Sequence, residues 1–116
     1  MLEIRKELVD PDIAVLHLSG RIAIGRPSQD IEAQVEELIG QGMSKMILNL
    51  TDVQRVDSTG FGTIVVCSQK LKNAGGGLRI VGAKGMVEEI AHSSQIPTIV
   101  PFHATLADAI VAFHPA

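Results

Sequence analysis

Residues 46–71 are the part of the sequence that most constrains the fold, because they predict a buried strand that leads into a helix. Residues 46–50 are mostly apolar without polar alternation, as in a central strand covered on both faces. A polar link is expected over residues 51–55. From Phe61 onward, apolar residues recur at helical spacing. The sequence Asp-Ser-Thr-Gly at residues 57–60 is therefore placed where a helix begins.

A helix start carries unpaired N–H groups and the positive end of the helix dipole. Asp57 or Ser58 can cap it through a side-chain oxygen, while Gly60 and Gly62 leave the backbone of the first turn unshielded. Plain capping is the commoner meaning of such a motif. The alternative is that Ser58 is a modification or contact site, where a phosphate would add about 1.5 to 2 negative charges.

The rest of the chain alternates predicted strands and helices around this stretch. The predicted strands cover residues 2–9, 13–19, 46–50, 78–81 and 98–102. The predicted helices begin near Ser28, Ser58, Gly85 and Thr105, with Ser28 and Thr105 as caps. A tight Asp-Pro-Asp turn joins the first two strands, and the later strand–helix–strand succession implies parallel pairing. We expect an α/β fold with a mixed, mainly parallel sheet of about five strands and about four helices.

Composition narrows the class of protein. A chain of 116 residues suits a single domain over residues 1–116, and a single cysteine, Cys67, allows no internal disulfide. Absence of a long apolar run disfavours membrane insertion, and a cytoplasmic location is expected. A net charge of -3 and only three aromatic residues also argue against nucleic acid as a partner.

Catalytic and metal-binding motifs are not evident. Ser58 has no histidine at a recognisable motif spacing, so we expect no enzyme activity and no catalytic residue. His17 is expected to be a partly buried strand histidine, since no second ligand lies at metal-site spacing. Residues 82–85 (Gly-Ala-Lys-Gly) favour a helix-start turn over a nucleotide cradle. No cofactor and no metal are expected.

A docking surface is the hypothesis that needs least chemistry. Helical spacing places Phe61 and Ile64 toward the core and Thr63 and Val66 on the opposite side. The candidate partner-binding residues are Asp57, Ser58, Thr59, Gly60, Gly62, Thr63 and Val66. A phosphate on Ser58 would have to lose its water beside Asp57 when a partner docked, so phosphorylation would switch docking off.

The run over residues 48–62 resembles the signature of the STAS domain, specifically that of bacterial anti-sigma factor antagonists, and the resemblance extends across nearly the whole chain. In that family a strand ends in an Asp-Ser-Ser/Thr-Gly turn, and a partner kinase phosphorylates the serine after the aspartate. Asp57 and Ser58 match position for position. The resemblance implies an anti-sigma factor with serine kinase activity as partner, phosphorylation at Ser58, and a phosphatase that resets the switch.

The chain departs from the family pattern at Ala23, Asn49 and Arg55, where many relatives have a polar, an acidic and an apolar residue respectively. These positions lie near the phosphosite surface in the family fold, so they bear on the choice of kinase. The same domain also serves as a subunit of lipid-transport ATPases and in stress-sensing complexes. That alternative requires binding that does not depend on Ser58.

Overall fold

A mixed five-stranded sheet organises the chain in the computed structural model, which describes residues 1–114. The strands are β1 (Leu2–Asp10), β2 (Ile13–Ile22), β3 (Lys45–Val56), β4 (Gly77–Val81) and β5 (Phe102–His103). The α-helices are α1 (Arg26–Gly40), α2 (Ser58–Asn73), α3 (Gly85–Ser93) and α4 (Leu106–Phe113). The strand order in space is the order in sequence. The predicted fold class is confirmed.

The pairing of the strands is that of a hairpin joined to a parallel sheet. β1 and β2 are antiparallel across the Asp-Pro-Asp turn, whereas β2, β3, β4 and β5 are parallel neighbours. Helices connect the parallel strands, since each such connection has to return the chain to the same end of the sheet. The carboxyl ends of β2 and β3 therefore lie side by side, at the end of the sheet where α2 begins.

Both faces of the sheet are covered by helices. On one face, Leu16, Leu48 and Ile80 belong to a large apolar cluster that includes residues of α1, α2 and α3. On the other face, a smaller cluster of buried residues joins the sheet to α4; its members are Ile13, Val15, Ile47, Val81 and Ala109. Burial on both faces explains why the central strands read as continuous apolar runs.

The predicted polar link over residues 51–55 is wrong, because β3 continues to Val56. Its second half buries Val53 and Val56, and a pair of exposed polar residues precedes each of them. The pairing with β2 shifts register twice in this half, between His17 and Ser19 and between Gly20 and Arg21, so that β3 carries extra residues. Such bulges break the alternation that a sequence pattern relies on.

The predicted strand over residues 98–102 is also wrong in its position. A 3-10 turn, Ile96–Thr98, occupies its start, and only Phe102–His103 pair with β4. Prolines at 97 and 101 remove two backbone donors, which shortens any strand there. The buried side chains of Ile96 and Val100 instead anchor this segment to the core.

Two predicted helix caps have different outcomes. Thr105 caps α4 as expected, since its hydroxyl accepts a hydrogen bond from the Asp108 N–H at 3.1 Å. Ser28 is not a cap: α1 begins at Arg26, its second residue is Pro27, and the Ser28 hydroxyl donates to the Ala23 carbonyl at 2.8 Å. Proline suits the first turn of a helix because the amide it lacks has no partner there.

Candidate functional site

The first turn of α2 is capped by Asp57. Its Oδ1 accepts a hydrogen bond from the Gly60 N–H at 2.7 Å, and its backbone is extended, as capping residues are. Of the two caps that the sequence allows, Asp57 is the one used. Ser58 is therefore the first residue of the helix, and its side chain is exposed.

Asp57 also joins α2 to the loop between β2 and α1. Its Oδ2 accepts a hydrogen bond from the Ile24 N–H at 3.1 Å, and its own N–H donates to the Ile22 carbonyl at 3.1 Å. The hydrogen bonds from Gly60 and Ile24 hold the pKa of the Asp57 carboxyl below its ordinary value. The carboxylate is therefore ionised at neutral pH, directly beside Ser58.

Gly60 lets the helix approach the end of β2. A Cβ at this position would overlap the Ile22 carbonyl oxygen and lie 2.9 Å from Cγ1 of Val56. A Cβ at Gly62, two residues later, would have no atom within 4 Å. Gly60 is buried and Gly62 is exposed, so the two glycines of the motif have different roles. Gly60 allows α2 to pack closely against Ile22 and Val56, whereas Gly62 leaves open space at the surface beside Ser58.

An open groove of about 510 Å³ runs from Ser58 along the side of α2. Its walls are mainly apolar and come from Phe61 and Val65 of α2, Ile90 of α3, and Ile96. Asp57 and Ser58 lie among its lining residues. The candidate phosphorylation site thus borders a concave and mainly apolar surface.

Several exposed apolar side chains surround this groove, and the sequence pattern did not identify them as site residues. Ile24 is 72% exposed, Met86 is 64% exposed and Ile90 is 39% exposed. Helix α3 buries Val87 and Ala91, which are four residues apart, so Met86 and Ile90 share its outward face. In the sequence, the alanine four residues after Val87 was the feature that could have indicated the buried face of α3.

Of the predicted docking residues, Ser58, Thr59, Gly62 and Val66 are exposed and Asp57 is half-buried. The placement of Thr63 on the outer side of α2 is wrong. Thr63 is only 5% exposed, and its hydroxyl donates to the Thr59 carbonyl at 3.0 Å. The reason is that α1 packs against this flank of α2, where Lys70 binds Glu36 of α1.

Cys67 lies on the same buried flank. Burial raises the pKa of its thiol to about 12, and the Glu32 carboxylate adds to the shift. The thiol is therefore protonated at neutral pH and unreactive, as expected for a structural cysteine. It contributes packing between α1 and α2.

The histidines have partners or neighbours away from Ser58. His17 bonds Glu7 at 2.8 Å and Asn49 at 2.9 Å, which fits the predicted half-buried strand histidine. His103 bonds Arg79, and His114 bonds Asp10. Among residues 1–114, no group of three or more His, Cys, Asp or Glu side chains could hold a metal ion. Over the same residues, no helix is long and apolar enough to span a membrane.

The chain is similar to known proteins in sequence and in fold. A family model described as the STAS domain matches residues 6–109. The chain is 28% identical over 75 residues to a protein of Thermotoga maritima that is named as an anti-sigma factor antagonist. That alignment covers 65% of this chain and 66% of the relative.

Solved structures share the fold. The crystal structure of a protein from Thermotoga maritima, described as an anti-sigma factor antagonist, has a TM-score of 0.88 at 24% identity and covers 97% of this chain and 95% of its own. The phosphorylated form of SpoIIAA, a cell fate determinant of Bacillus, has a TM-score of 0.72 at 21% identity and covers 95% of this chain and 98% of its own. At these identities the comparison establishes the fold.

The two motif glycines make a matched test of the packing at the site. We expect Gly60→Ala to lower the free energy of unfolding by about 1 to 3 kcal/mol, because the added methyl group meets backbone that cannot move freely. Gly62→Ala should raise it by up to about 1 kcal/mol, since alanine favours a helix and the space is open. Urea unfolding followed by circular dichroism measures both, and equal effects of the two substitutions would contradict the roles given to the glycines.

The cap predicts a pH dependence of stability. Because the pKa of Asp57 is lowered from 3.8 on folding, its ionised form stabilises the native state above that value, and the contribution is lost as pH falls through the lower folded pKa. We expect Asp57→Ala to lower the urea midpoint by the same amount at pH 7 and pH 5. The difference should shrink below pH 3.8. If the two urea midpoints differed by the same amount at every pH down to acid unfolding, the charge of Asp57 would not contribute to the cap.

Proposed function

This chain belongs to the STAS domain family, and we propose that it is an anti-sigma factor antagonist: it docks an anti-sigma factor with serine kinase activity while Ser58 is unphosphorylated and is released on phosphorylation. The observation that carries this proposal is the exposed Ser58 side chain at the first residue of α2, on the border of an open apolar groove. The names of its relatives and the phosphorylated form of SpoIIAA support it.

The proposed role is that of a binding module and not of an enzyme. A nucleophilic serine needs a base within hydrogen-bond reach. Here His17, His103 and His114 bond to Glu7 and Asn49, to Arg79, and to Asp10, and the His92 ring lies near that of Phe102. None of these four histidines lines the groove that contains Ser58. Asp57, the acidic neighbour, directs both carboxylate oxygens to backbone amides. The site therefore offers a substrate hydroxyl to a partner kinase.

Phosphorylation would act on docking through charge. The phosphate adds about 1.5 to 2 negative charges next to the ionised Asp57. In the free chain the phosphate faces water and the positive end of the α2 dipole, which tolerates it. Against an apolar partner surface it would have to lose that water without gaining a counter-ion, and burying an unpaired charge costs several kcal/mol. About 1.4 kcal/mol is already a tenfold loss of affinity.

The first test is phosphoryl transfer. We expect the wild-type chain, incubated with ATP and the candidate anti-sigma kinases of its own organism, to gain the mass of one phosphate. Ser58→Ala should gain none, while Ser19→Ala, which removes an exposed hydroxyl outside the candidate docking residues, should be modified like the wild type. Intact mass spectrometry gives the result, and modification of Ser58→Ala would assign the site to another residue.

The second test is binding. We expect Ser58→Asp to bind the kinase identified above at least about tenfold more weakly than the wild type, because the new charge lies on the docking surface. Asn73→Asp is the matched control, since it adds a negative charge at the other end of α2. Calorimetric titration with a non-hydrolysable ATP analogue measures both without phosphoryl transfer.

Equal affinity of the wild type and Ser58→Asp would contradict the switch. That result would favour the alternative role, in which a STAS subunit of a lipid-transport ATPase or a stress-sensing complex binds its partner independently of Ser58. Capture of such an assembly by the wild type and by Ser58→Asp alike would then identify it.

A further inference from the structure

Two arginines lie side by side at the carboxyl ends of β2 and β3. Arg21 and Arg55 are register partners in the parallel pairing of these strands, and both are exposed. The next residue of β2, Ile22, accepts the hydrogen bond from the Asp57 N–H. The two arginines therefore belong to the same strand ends that position the start of α2.

One member of the pair, Arg55, lies next to the apolar groove that contains Ser58. Arg55 lines a cavity of about 160 Å³ together with Asp57, Met86 and Ile90. Asp57 and Ile90 also line the larger groove that contains Ser58. The groove and the cavity at Arg55 are therefore adjacent, and Arg21 lies beside Arg55 on the neighbouring strand.

Like charges directly opposite each other on neighbouring strands destabilise a sheet. The ion pairs of residues 1–114 have Lys45, Lys70, His17 and His114 as their cations, and none involves Arg21 or Arg55. This holds although the chain has 13 acidic residues and a net charge of -3. The fold keeps two neighbouring positive charges without neutralising them, beside an open apolar groove.

Resting on the proposed function, we infer that the anti-sigma partner meets Arg21 and Arg55 with carboxylates, so that an acidic patch next to an apolar contact determines which kinase this chain recognises. The guanidinium group suits this role because it binds a carboxylate through two parallel hydrogen bonds. Complementary charge at an interface selects the partner and accelerates encounter. The family pattern singles out Arg55 as a departure, and the strand register adds Arg21 as its neighbour.

A double charge reversal tests the inference. The probe is the kinase that phosphorylates Ser58, with a non-hydrolysable ATP analogue. We expect Arg21→Glu combined with Arg55→Glu to weaken binding at least about tenfold at 0.15 M salt, and the loss to diminish at high salt. Arg5→Glu combined with Lys6→Glu makes the same change in net charge on the exposed edge strand β1 and should stay within about threefold of the wild type.

A single substitution separates binding from folding. Arg21→Glu replaces a like-charge pair across β2 and β3 with an attractive one, so it should raise the urea midpoint while it lowers the affinity for the kinase. A merely structural role of Arg21 would move neither affinity nor its salt dependence. Opposite directions in the two measurements are therefore the expected result.

Failure of the inference and failure of the proposed function give different results. If the kinase binds the wild type and both double variants equally, the arginine pair does not recognise the partner, whereas the antagonist role stands. If no kinase of the organism binds or phosphorylates the wild type, the proposed function fails and the inference fails with it.

Discussion

The carboxylate of Asp57 connects two segments that are far apart in the chain. One oxygen caps α2 through the Gly60 N–H, and the other accepts the Ile24 N–H from the loop before α1. Hydrogen bonds to an ionised acceptor are about twice as strong as neutral ones. Because of this double contact, the exposed Ile24 lies next to the start of α2.

The length of β3 makes this contact possible. β4 pairs only with the first part of β3, from Lys45 to Asn49, while β2 follows β3 to Val56 through two register shifts. The extra residues carry the chain to the end of β2, where the Asp57 N–H reaches the Ile22 carbonyl. Bulges next to functional sites commonly re-aim the residues that follow them. Here the bulges place Arg55, Asp57 and Ser58 at the end of the sheet where β2 and β3 finish.

Sequence patterns predicted the parts of this site that depend on local chemistry. The apolar run of β3, the change to helical spacing and a cap at residue 57 or 58 are all properties of a few neighbouring residues. The polar half of β3 was missed, since a strand that exposes two residues at a time has neither strand nor helix periodicity. Thr63 was misplaced because only the packing of α1 on α2 decides which flank is covered.

The outward face of α3 shows the same limit. Met86, Val87 and Ile90 are all apolar, so the sequence does not say which of them face the core. The orientation of α3 against β3 decides that Val87 and Ala91 are buried. Large apolar residues on the outside are common singly, so composition gives no warning of them. The position of Met86 and Ile90 becomes informative only in the structure, where the end of β3, α2 and the 3-10 turn supply their neighbours.

The geometry also explains how a charge could control binding without disturbing the fold. A phosphate at the first residue of α2 is favoured by the helix dipole, by about 0.3 to 1 kcal/mol at an exposed position, and opposed by the neighbouring Asp57 carboxylate. These two effects have opposite signs, so in the free chain they would partly cancel. At a docked surface, in contrast, water would no longer screen the phosphate from Asp57. The energy of the proposed switch would therefore lie mainly in the interface and not in the stability of the domain.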